Sequence, residues 1–151
     1  ENGAQHTLLN GEDVSEVIRD REVSMAASTI SKHESVRMRM AEKQREIAGK
    51  MSCVLDGRDI GTFVLPDADF KFFLTASPEV RAKRRYDELV AKGHSVDFED
   101  LKREIALRDE QDSTRAIAPL KKADDAVLID TSDMTIQQVL QTIKNKMQEK
   151  I

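Results

Sequence analysis

The chain has 151 residues, enough for one domain with a hydrophobic core. Hydrophobic residues make up 39% and charged residues 34% of it, which excludes a disordered composition, and the sequence has no apolar run long enough to cross a membrane. The 24 basic residues against 28 acidic ones give a formal net charge of -4, which argues against a nucleic-acid-binding protein.

The cysteine content and the first residues bear on the compartment. Cys53 is the single cysteine and lies in an apolar run, so we expect a buried thiol without a disulfide partner. The sequence shows no basic-then-apolar leader that would indicate secretion. Both observations favour the reducing cytoplasm, and we expect no membrane association.

The N-terminal third predicts a hairpin followed by two helices. His6–Leu9 has the composition of a short strand, and Asn10-Gly11 is a strong turn signal. Apolar residues three and four apart predict helix from about Glu22 to Ala48, broken by the polar stretch Ser31–Ser35. Either of the two end serines of that stretch could cap the second helix.

Two strands and a helix are predicted next. Met51–Leu55 reads as a strand entering a core, and Phe70–Leu74 as a second strand. Ser77 stands at a natural N-cap position and Pro78 at the first position of the following helix, where the missing N–H is harmless. Gly93 should break this helix.

The last third predicts a helix, a strand and a closing helix. Helix resumes from Phe98 to about Asp112, and Ala126–Asp130 is a third short apolar run. Thr131 and Ser132 are candidate caps for the closing helix. Its apolar stripe consists of Ile136, Val139, Leu140 and Ile143, with Met147 extending it.

Short strands alternating with helices predict an α/β fold with a parallel sheet. Polar residues follow each predicted strand, and open parallel sheets bind ligands at the carboxyl ends of their strands. This places Asp56–Asp59, Thr75–Pro78 and Asp130–Ser132 on one edge of the sheet. Asp130 could look catalytic there, although a capping role fits a strand end better.

Arginines are the most distinctive candidates for chemistry at that edge. Their planar guanidinium groups match phosphate oxygens, and arginine clusters spread charge during phosphoryl transfer. The candidates are Arg58, Arg84, Arg85, Arg108 and Arg115. Arg108 and Arg115 would share one helical face with Asp112 between them, although the same spacing is typical of a salt-bridged surface helix. No metal-ligand spacing of His and Cys is present.

Several stretches closely resemble bacterial cytidylate kinase. Residues 54–62 read Val-Leu-Asp-Gly-Arg-Asp-Ile-Gly-Thr, and residues 115–120 read Arg-Ala-Ile-Ala-Pro-Leu. Further similarity lies in residues 11–19, 26–28, 36–37, 72–77, 81–85 and 108–114. The resemblance runs from about His6 to Val139. It implies a nucleoside monophosphate kinase of the P-loop fold, which moves the γ-phosphoryl group of ATP, with Mg²⁺, to CMP or dCMP.

The resemblance implies roles for eight residues. Ser28, Arg37 and Asp59 match residues that contact the cytosine base. Arg58 and Arg115 match phosphate-binding arginines, with Arg115 also catalytic, and Arg108 and Asp112 match contacts to the pentose. Arg84 matches an arginine at the base of a lid that reaches the ATP phosphates and the transferring group.

The family also implies how the chain is divided. Its parts would be a segment of the CMP-binding insert with the helices after it, core strands with a helix, a lid that closes over ATP, and the last core strand with its helix, at residues 1–48, 49–83, 84–116 and 117–151. The implied partners are CMP or dCMP and ATP, without nucleic acid or membrane. The family is usually monomeric.

One family feature is absent from the sequence. A P-loop reads Gly-x-x-x-x-Gly-Lys-Ser/Thr, and none of the six glycines begins such a stretch. The chain therefore resembles the C-terminal two-thirds of the enzyme, without the first strands, and we expect it to be inactive alone and prone to self-association through exposed strand edges. The alternatives are a non-catalytic nucleotide-binding or interaction fragment derived from such a kinase, or a basic-helix nucleic-acid binder, which the acidic net charge disfavours.

Overall fold

A computed structural model describes residues 6–149 of the chain. These residues fall into two compact units, which divide between Glu46 and Ile47. No helix in the described part of the chain is both long and apolar enough to span a bilayer.

The first unit begins with a small antiparallel hairpin. Strand β1 (Leu8–Leu9) pairs with β2 (Glu12–Asp13). Asn10 and Gly11 connect them with φ angles of 53° and 90°, as a two-residue turn of the mirror-image type requires. The predicted turn is confirmed, and a short 3-10 turn at Val17–Arg19 follows it.

Two helices complete the first unit. Helix α1 spans Arg21–Ile30 and α2 spans Glu34–Ala48, so the predicted break in the helical pattern is confirmed. The predicted caps are wrong, because Ser35 lies inside α2 and Ser31 lies at the C-terminal end of α1. There the Ser31 hydroxyl donates to the carbonyl oxygen of Ser28 at 2.8 Å.

The second unit contains a two-stranded parallel sheet. Strand β3 (Phe72–Thr75) pairs with β4 (Val127–Asp130), with Phe72 opposite Val127 and Thr75 opposite Asp130. Two long helices, α3 (Pro78–Ala91) and α4 (Phe98–Thr114), lie between these strands in the chain. The pairing confirms the predicted α/β fold with a parallel sheet.

The predicted strand at Met51–Leu55 is wrong. The segment joins no ladder in the described part of the chain, and Val54 is 99% exposed. A strand needs a neighbour to pair its N–H and C=O groups, and apolar composition alone does not supply one. Cys53 is exposed for the same reason, which overturns the expected buried thiol.

Helices α3 and α4 pack on each other as a helical hairpin. The Ser77 hydroxyl accepts from the Val80 amide at 3.2 Å, so the predicted N-cap of α3 is confirmed. Gly93 follows the C-terminal end of α3 and has a φ of 81°. Within the hairpin, the rings of Tyr86 and Phe98 meet edge to face at 5.8 Å. Three of its apolar side chains are buried: Ala82, Leu89 and Leu101.

The last helix, α5, spans Ile136–Gln148. Its cap is Thr135, whose hydroxyl accepts from the Gln138 amide while the Gln138 side chain accepts from the Thr135 amide. The prediction of Thr131 or Ser132 as cap is therefore wrong. The predicted apolar stripe is only partly covered, since Ile136 is 75% exposed.

Candidate functional site

The glycine-rich stretch after Leu55 leads into an unusual backbone turn. Ile60–Val64 forms a single π-helical turn, a rare geometry that often occurs at functional sites. The carbonyl oxygen of Asp59 accepts from the amides of Phe63 at 2.9 Å and Val64 at 3.2 Å. These bonds fix the backbone of Asp59, whose side chain is only 14% exposed.

Arg115 links this turn to the end of α4. It is the residue at which the helix ends, with an extended backbone (φ -62°, ψ 144°). Its Nη2 lies 3.6 Å from Oδ2 of Asp59, and its Nη1 donates to Oδ1 of Asp112 at 3.3 Å. The Arg115 side chain is only 13% exposed. Its permanent positive charge is therefore largely buried, and two carboxylates compensate it.

Asp112 is buried and lies among three arginine side chains. Its Oδ2 is 3.4 Å from Nε of Arg58 and 4.0 Å from Nε of Arg108. This buried oxygen accepts no hydrogen bond from residues 6–149. Five of the predicted site residues are thus brought together, and they form the arginine cluster: Arg58, Asp59, Arg108, Asp112 and Arg115.

The charge and exposure of this arginine cluster favour an anionic ligand. Three guanidinium groups face two carboxylates, which leaves one positive charge in excess. The side chains of Arg58 and Arg108 are 43% and 50% exposed, so both can turn toward a ligand. Guanidinium groups bind phosphate oxygens through paired hydrogen bonds. The cluster can therefore hold a phosphate while its carboxylates accept from the donors of the same ligand.

The loop after α4 holds the arginine cluster in place. The Leu120 amide donates to the carbonyl oxygen of Asp112 at 2.7 Å, and Nε of Arg115 donates to that of Ala118 at 2.6 Å. Ala118 has φ of 49°, a left-handed conformation that an L-residue with a side chain rarely adopts. The chain turns sharply here so that this carbonyl faces the guanidinium.

Arg84 lies apart from the cluster. Its guanidinium donates to the carbonyl oxygen of Thr131 at 2.5 Å, to the Thr131 hydroxyl at 3.2 Å and to the carbonyl oxygen of Met134 at 3.4 Å. It makes no ion pair with a carboxylate of the described residues. These contacts place Arg84 beside the loop that follows β4.

Ser28 and Arg37 belong to the first unit. Nη1 of Arg37 donates to the carbonyl oxygen of Ser31 at 3.1 Å, and the Ser31 hydroxyl donates to that of Ser28. Both predicted residues are half-buried. The serine between them thus connects the end of α1 to α2.

Asp130, at the end of β4, has a local role. Its Oδ1 accepts from the amide and the hydroxyl of Ser132 at 2.9 and 2.6 Å, and these hydrogen bonds lower the pKa of Asp130 below its ordinary value. The Ser132 hydroxyl in turn accepts from the Ser77 amide at 2.9 Å. The carboxylate therefore caps a turn that joins the ends of the two strands.

Sequence reasoning missed one pair of residues beside the arginine cluster. Nη1 of Arg81, on α3, lies 2.5 Å from Oδ2 of Asp109, on α4. The two are far apart in the chain, and no local pattern indicates the contact.

The described residues offer no magnesium site of protein side chains. No group of three or more His, Cys, Asp or Glu within residues 6–149 could hold a metal ion. The chain also has no Gly-x-x-x-x-Gly-Lys-Ser/Thr stretch to bind the phosphates of ATP. The described residues thus do not fit a complete MgATP site.

Comparison with known proteins identifies the family. Residues 1–149 match the family model described as cytidylate kinase. A cytidylate kinase of Geobacillus sp. (strain WCH70) is 51% identical over 97% of this chain and 66% of its own length. That of Halalkalibacterium halodurans is 47% identical over 100% and 68%. That of Thermosipho melanesiensis is 52% identical over 95% and 66%.

The matches extend along nearly the whole chain, which spans about two thirds of the length of the curated relatives. They include the turn that carries Arg58 and Asp59 and the helix end that carries Asp112 and Arg115. The chain therefore belongs to the cytidylate kinase family.

Proposed function

We propose that this chain carries the acceptor site of a nucleoside monophosphate kinase, an enzyme that as a full-length protein transfers the γ-phosphoryl group of ATP to CMP or dCMP, with Mg²⁺, in the cytoplasm. Because the 151 residues contain no P-loop, we propose that they are inactive alone. The observation that most supports the acceptor site is the arginine cluster: three guanidinium groups around two largely buried carboxylates, on the turn after Leu55 and at the end of α4. A nucleoside monophosphate offers the matching groups, a phosphate for the arginines and hydrogen-bond donors for the carboxylates.

In this proposal Arg58 and Arg115 bind the phosphate of CMP, and Arg108 and Asp112 contact the pentose. The support is that the two more exposed arginines, Arg58 and Arg108, can turn to a ligand, while the buried Oδ2 of Asp112 accepts no hydrogen bond from the described residues. A sugar hydroxyl is a donor of suitable size. Arg115 also acts in catalysis by stabilising charge on the transferring phosphoryl group.

We further propose that Asp59, Ser28 and Arg37 recognise the cytosine base. A carboxylate can accept the N4 amine of cytosine, and an arginine can donate to its O2 and N3 atoms. Uracil presents the acceptor O4 where cytosine has the amine, so the carboxylate would lose its partner. Losing such a bond costs about 1–3 kcal/mol, roughly 5- to 150-fold in affinity.

Arg84 is proposed to reach the ATP phosphates and the transferring group from the base of a lid formed by residues 84–116. Its guanidinium lies on two backbone carbonyls and has no carboxylate partner among the described residues, so a phosphate would compete well for it. Closing a lid over the nucleotides would exclude water, which otherwise competes as phosphoryl acceptor.

Calorimetric titration of the 151-residue chain with CMP and UMP tests the acceptor site. We expect CMP to bind more tightly, and Asp59→Asn to reduce the difference, because an amide can donate to O4 of uracil as well as accept. Asp100→Asn, an exposed change on α4, is the matched control and should leave both affinities unchanged. Equal binding of CMP and UMP by the unmodified chain would contradict the proposal.

A coupled assay with ATP and CMP tests the donor side. We expect no phosphoryl transfer by the 151-residue chain, because no P-loop is present in it to hold the β- and γ-phosphates. Turnover at the rate of a complete relative would show that other residues hold ATP.

A further inference from the structure

Arg81 joins three parts of the second unit. It lies in the first turn of α3, and its Nε donates to the carbonyl oxygen of Ala76 at 3.1 Å. Its Nη1 lies 2.5 Å from Oδ2 of Asp109 on α4. Ala76 is buried directly after β3, so one guanidinium connects the carboxyl end of the sheet to α4.

The geometry of a guanidinium makes this connection directional. Its N–H groups point along fixed directions in one plane, so a group that bonds Ala76 with Nε and Asp109 with Nη1 fixes the two partners relative to each other. The side chains of Arg81 and Asp109 are 31% and 25% exposed, less than those of most ion pairs on this helical hairpin. Solvent therefore screens this pair less than its neighbours.

The ion pair between Arg81 and Asp109 joins α3 to α4. Four other pairs on these helices each lie within one helix, three or four residues apart, and are more exposed: Lys83–Asp87, Arg85–Glu88, Glu88–Lys92 and Asp100–Arg103. Arg81–Asp109 is thus a charged contact that can set how α4 lies against α3 and the sheet.

Asp109 stands on α4 among the residues of the arginine cluster. It follows Arg108 directly and precedes Asp112 by three residues, so Asp109 and Asp112 are neighbours on the helix surface. Holding Asp109 fixes the rotation of α4 about its axis, and with it the direction of the Asp112 carboxylate. Oδ2 of Asp112 lies 3.4 Å from Nε of Arg58, which stands on the turn outside the helix, so a rotation that displaces Asp112 by about 1 Å would break this contact.

We infer that Arg81 is a positioning residue of the nucleotide site, which acts through Asp109 by fixing the orientation of α4. It does not touch the cluster itself. Its role is to present Arg108 and Asp112, and the helix end at Arg115, to the turn that carries Arg58 and Asp59. This inference rests on the proposed function for its effect on CMP, but its structural part can be tested without nucleotide.

Hydrogen exchange tests the structural part. The Leu120 amide, bonded to the carbonyl oxygen of Asp112, reports on the end of α4. Arg81→Met should speed exchange at this amide and across residues 108–120 by about tenfold, while Arg103→Met, which removes an exposed pair on the same helix, should not. Arg81→Lys keeps an ion pair with Asp109 but cannot reproduce the planar geometry, so an intermediate value is expected.

Calorimetry with CMP tests the consequence for binding. Arg81→Met and Asp109→Asn should each weaken CMP by about tenfold, and the double variant by no more than either alone, because the two residues act as one unit. Circular dichroism shows whether each variant is folded. If Arg81→Met does not fold, Arg81→Lys replaces it in the calorimetry with CMP.

Unchanged exchange in Arg81→Met would overturn the inference, as would faster exchange with unchanged CMP affinity or additive effects in the double variant. Failure of the unmodified chain to bind CMP would instead overturn the proposed function, and hydrogen exchange would still decide the role of Arg81 in positioning α4.

Discussion

Replacing Asp112 by alanine tests the central claim about the arginine cluster, that a buried carboxylate holds the arginines together. Removing one partner of a buried ion pair typically costs about 3–5 kcal/mol, because the other charge stays buried without compensation. Here the loss is smaller, since Arg115 keeps Asp59 at 3.6 Å and the carbonyl oxygen of Ala118 at 2.6 Å. Arg58 and Arg108 are about half exposed, so their pairs with Asp112 add less than about 1 kcal/mol.

We therefore expect Asp112→Ala to lower the free energy of unfolding by about 2 kcal/mol, and Asp112→Asn, which keeps an acceptor and the shape, by about 1 kcal/mol. Urea denaturation followed by circular dichroism measures both. In thermal unfolding, the alanine variant should melt roughly 4–8 °C lower. Asp100→Asn, on the same helix but paired with Arg103 in solvent, should change stability by less than about 0.5 kcal/mol.

The opposite result is physically possible and would refute this reasoning. Asp112 is itself desolvated, and its Oδ2 accepts no hydrogen bond within the described residues. If that desolvation outweighed its attraction to the arginines, alanine would leave the chain equally or more stable. Such an outcome would mean that Asp112 is retained for its ligand alone.

Three further predictions concern other parts of the chain. Gly93→Ala should lower the free energy of unfolding by about 1 kcal/mol in urea denaturation. The cause is the φ of 81° alone, because a Cβ there would meet no atom within 4 Å. Gly93→Asn should lower the free energy less, since asparagine tolerates this conformation better, and equal decreases in the two variants would argue for a different cause. Hydrogen bonds from Ser15, with a smaller effect of His6, lower the pKa of Asp13 from 3.8 to about 2. Because the folded pKa is depressed, the stabilisation is present above about pH 4 and is lost as the pH falls through about 2; in a carboxyl NMR titration Ser15→Ala should raise the pKa of Asp13 toward 3.8, and an unchanged midpoint would contradict this. Finally, sedimentation should show self-association at micromolar concentration, since each strand of the parallel sheet has one edge without a strand partner in the described residues, and Val54, Leu74 and Leu128 are exposed. A cooperatively unfolding monomer would contradict this prediction.

The features that sequence predicted best depend on neighbouring residues. Asn10-Gly11 forms its turn because both residues tolerate positive φ, and Ser77 caps α3 because a hydroxyl one residue before a helical proline can reach the Val80 amide. The cap of α5 was misplaced although its signal is present: Gln138 stands three residues after Thr135, the spacing of a capping box.

Features that depend on distant residues could not be predicted in the same way. Met51–Leu55 has the composition of a strand, yet whether it pairs depends on another segment lying beside it, and in the described residues none does. The arginine spacing on α4 was equally compatible with a surface helix. The difference lies in the burial of Asp112 and Arg115, which the turn at Asp59 and the loop at Ala118 produce together.

The backbone at Ala118 bears on how this part of the molecule can evolve. A left-handed alanine is disfavoured by about 1–2 kcal/mol, and the following Pro119 restricts the backbone of Ala118 further. Glycine would relieve the strain, yet it would also let the carbonyl that receives Nε of Arg115 move. Removing the methyl group of Ala118 would therefore raise the stability of the fold but would hold the guanidinium of Arg115 less firmly. A screen for thermostable variants would favour glycine at position 118, while a screen for tight CMP binding would favour alanine.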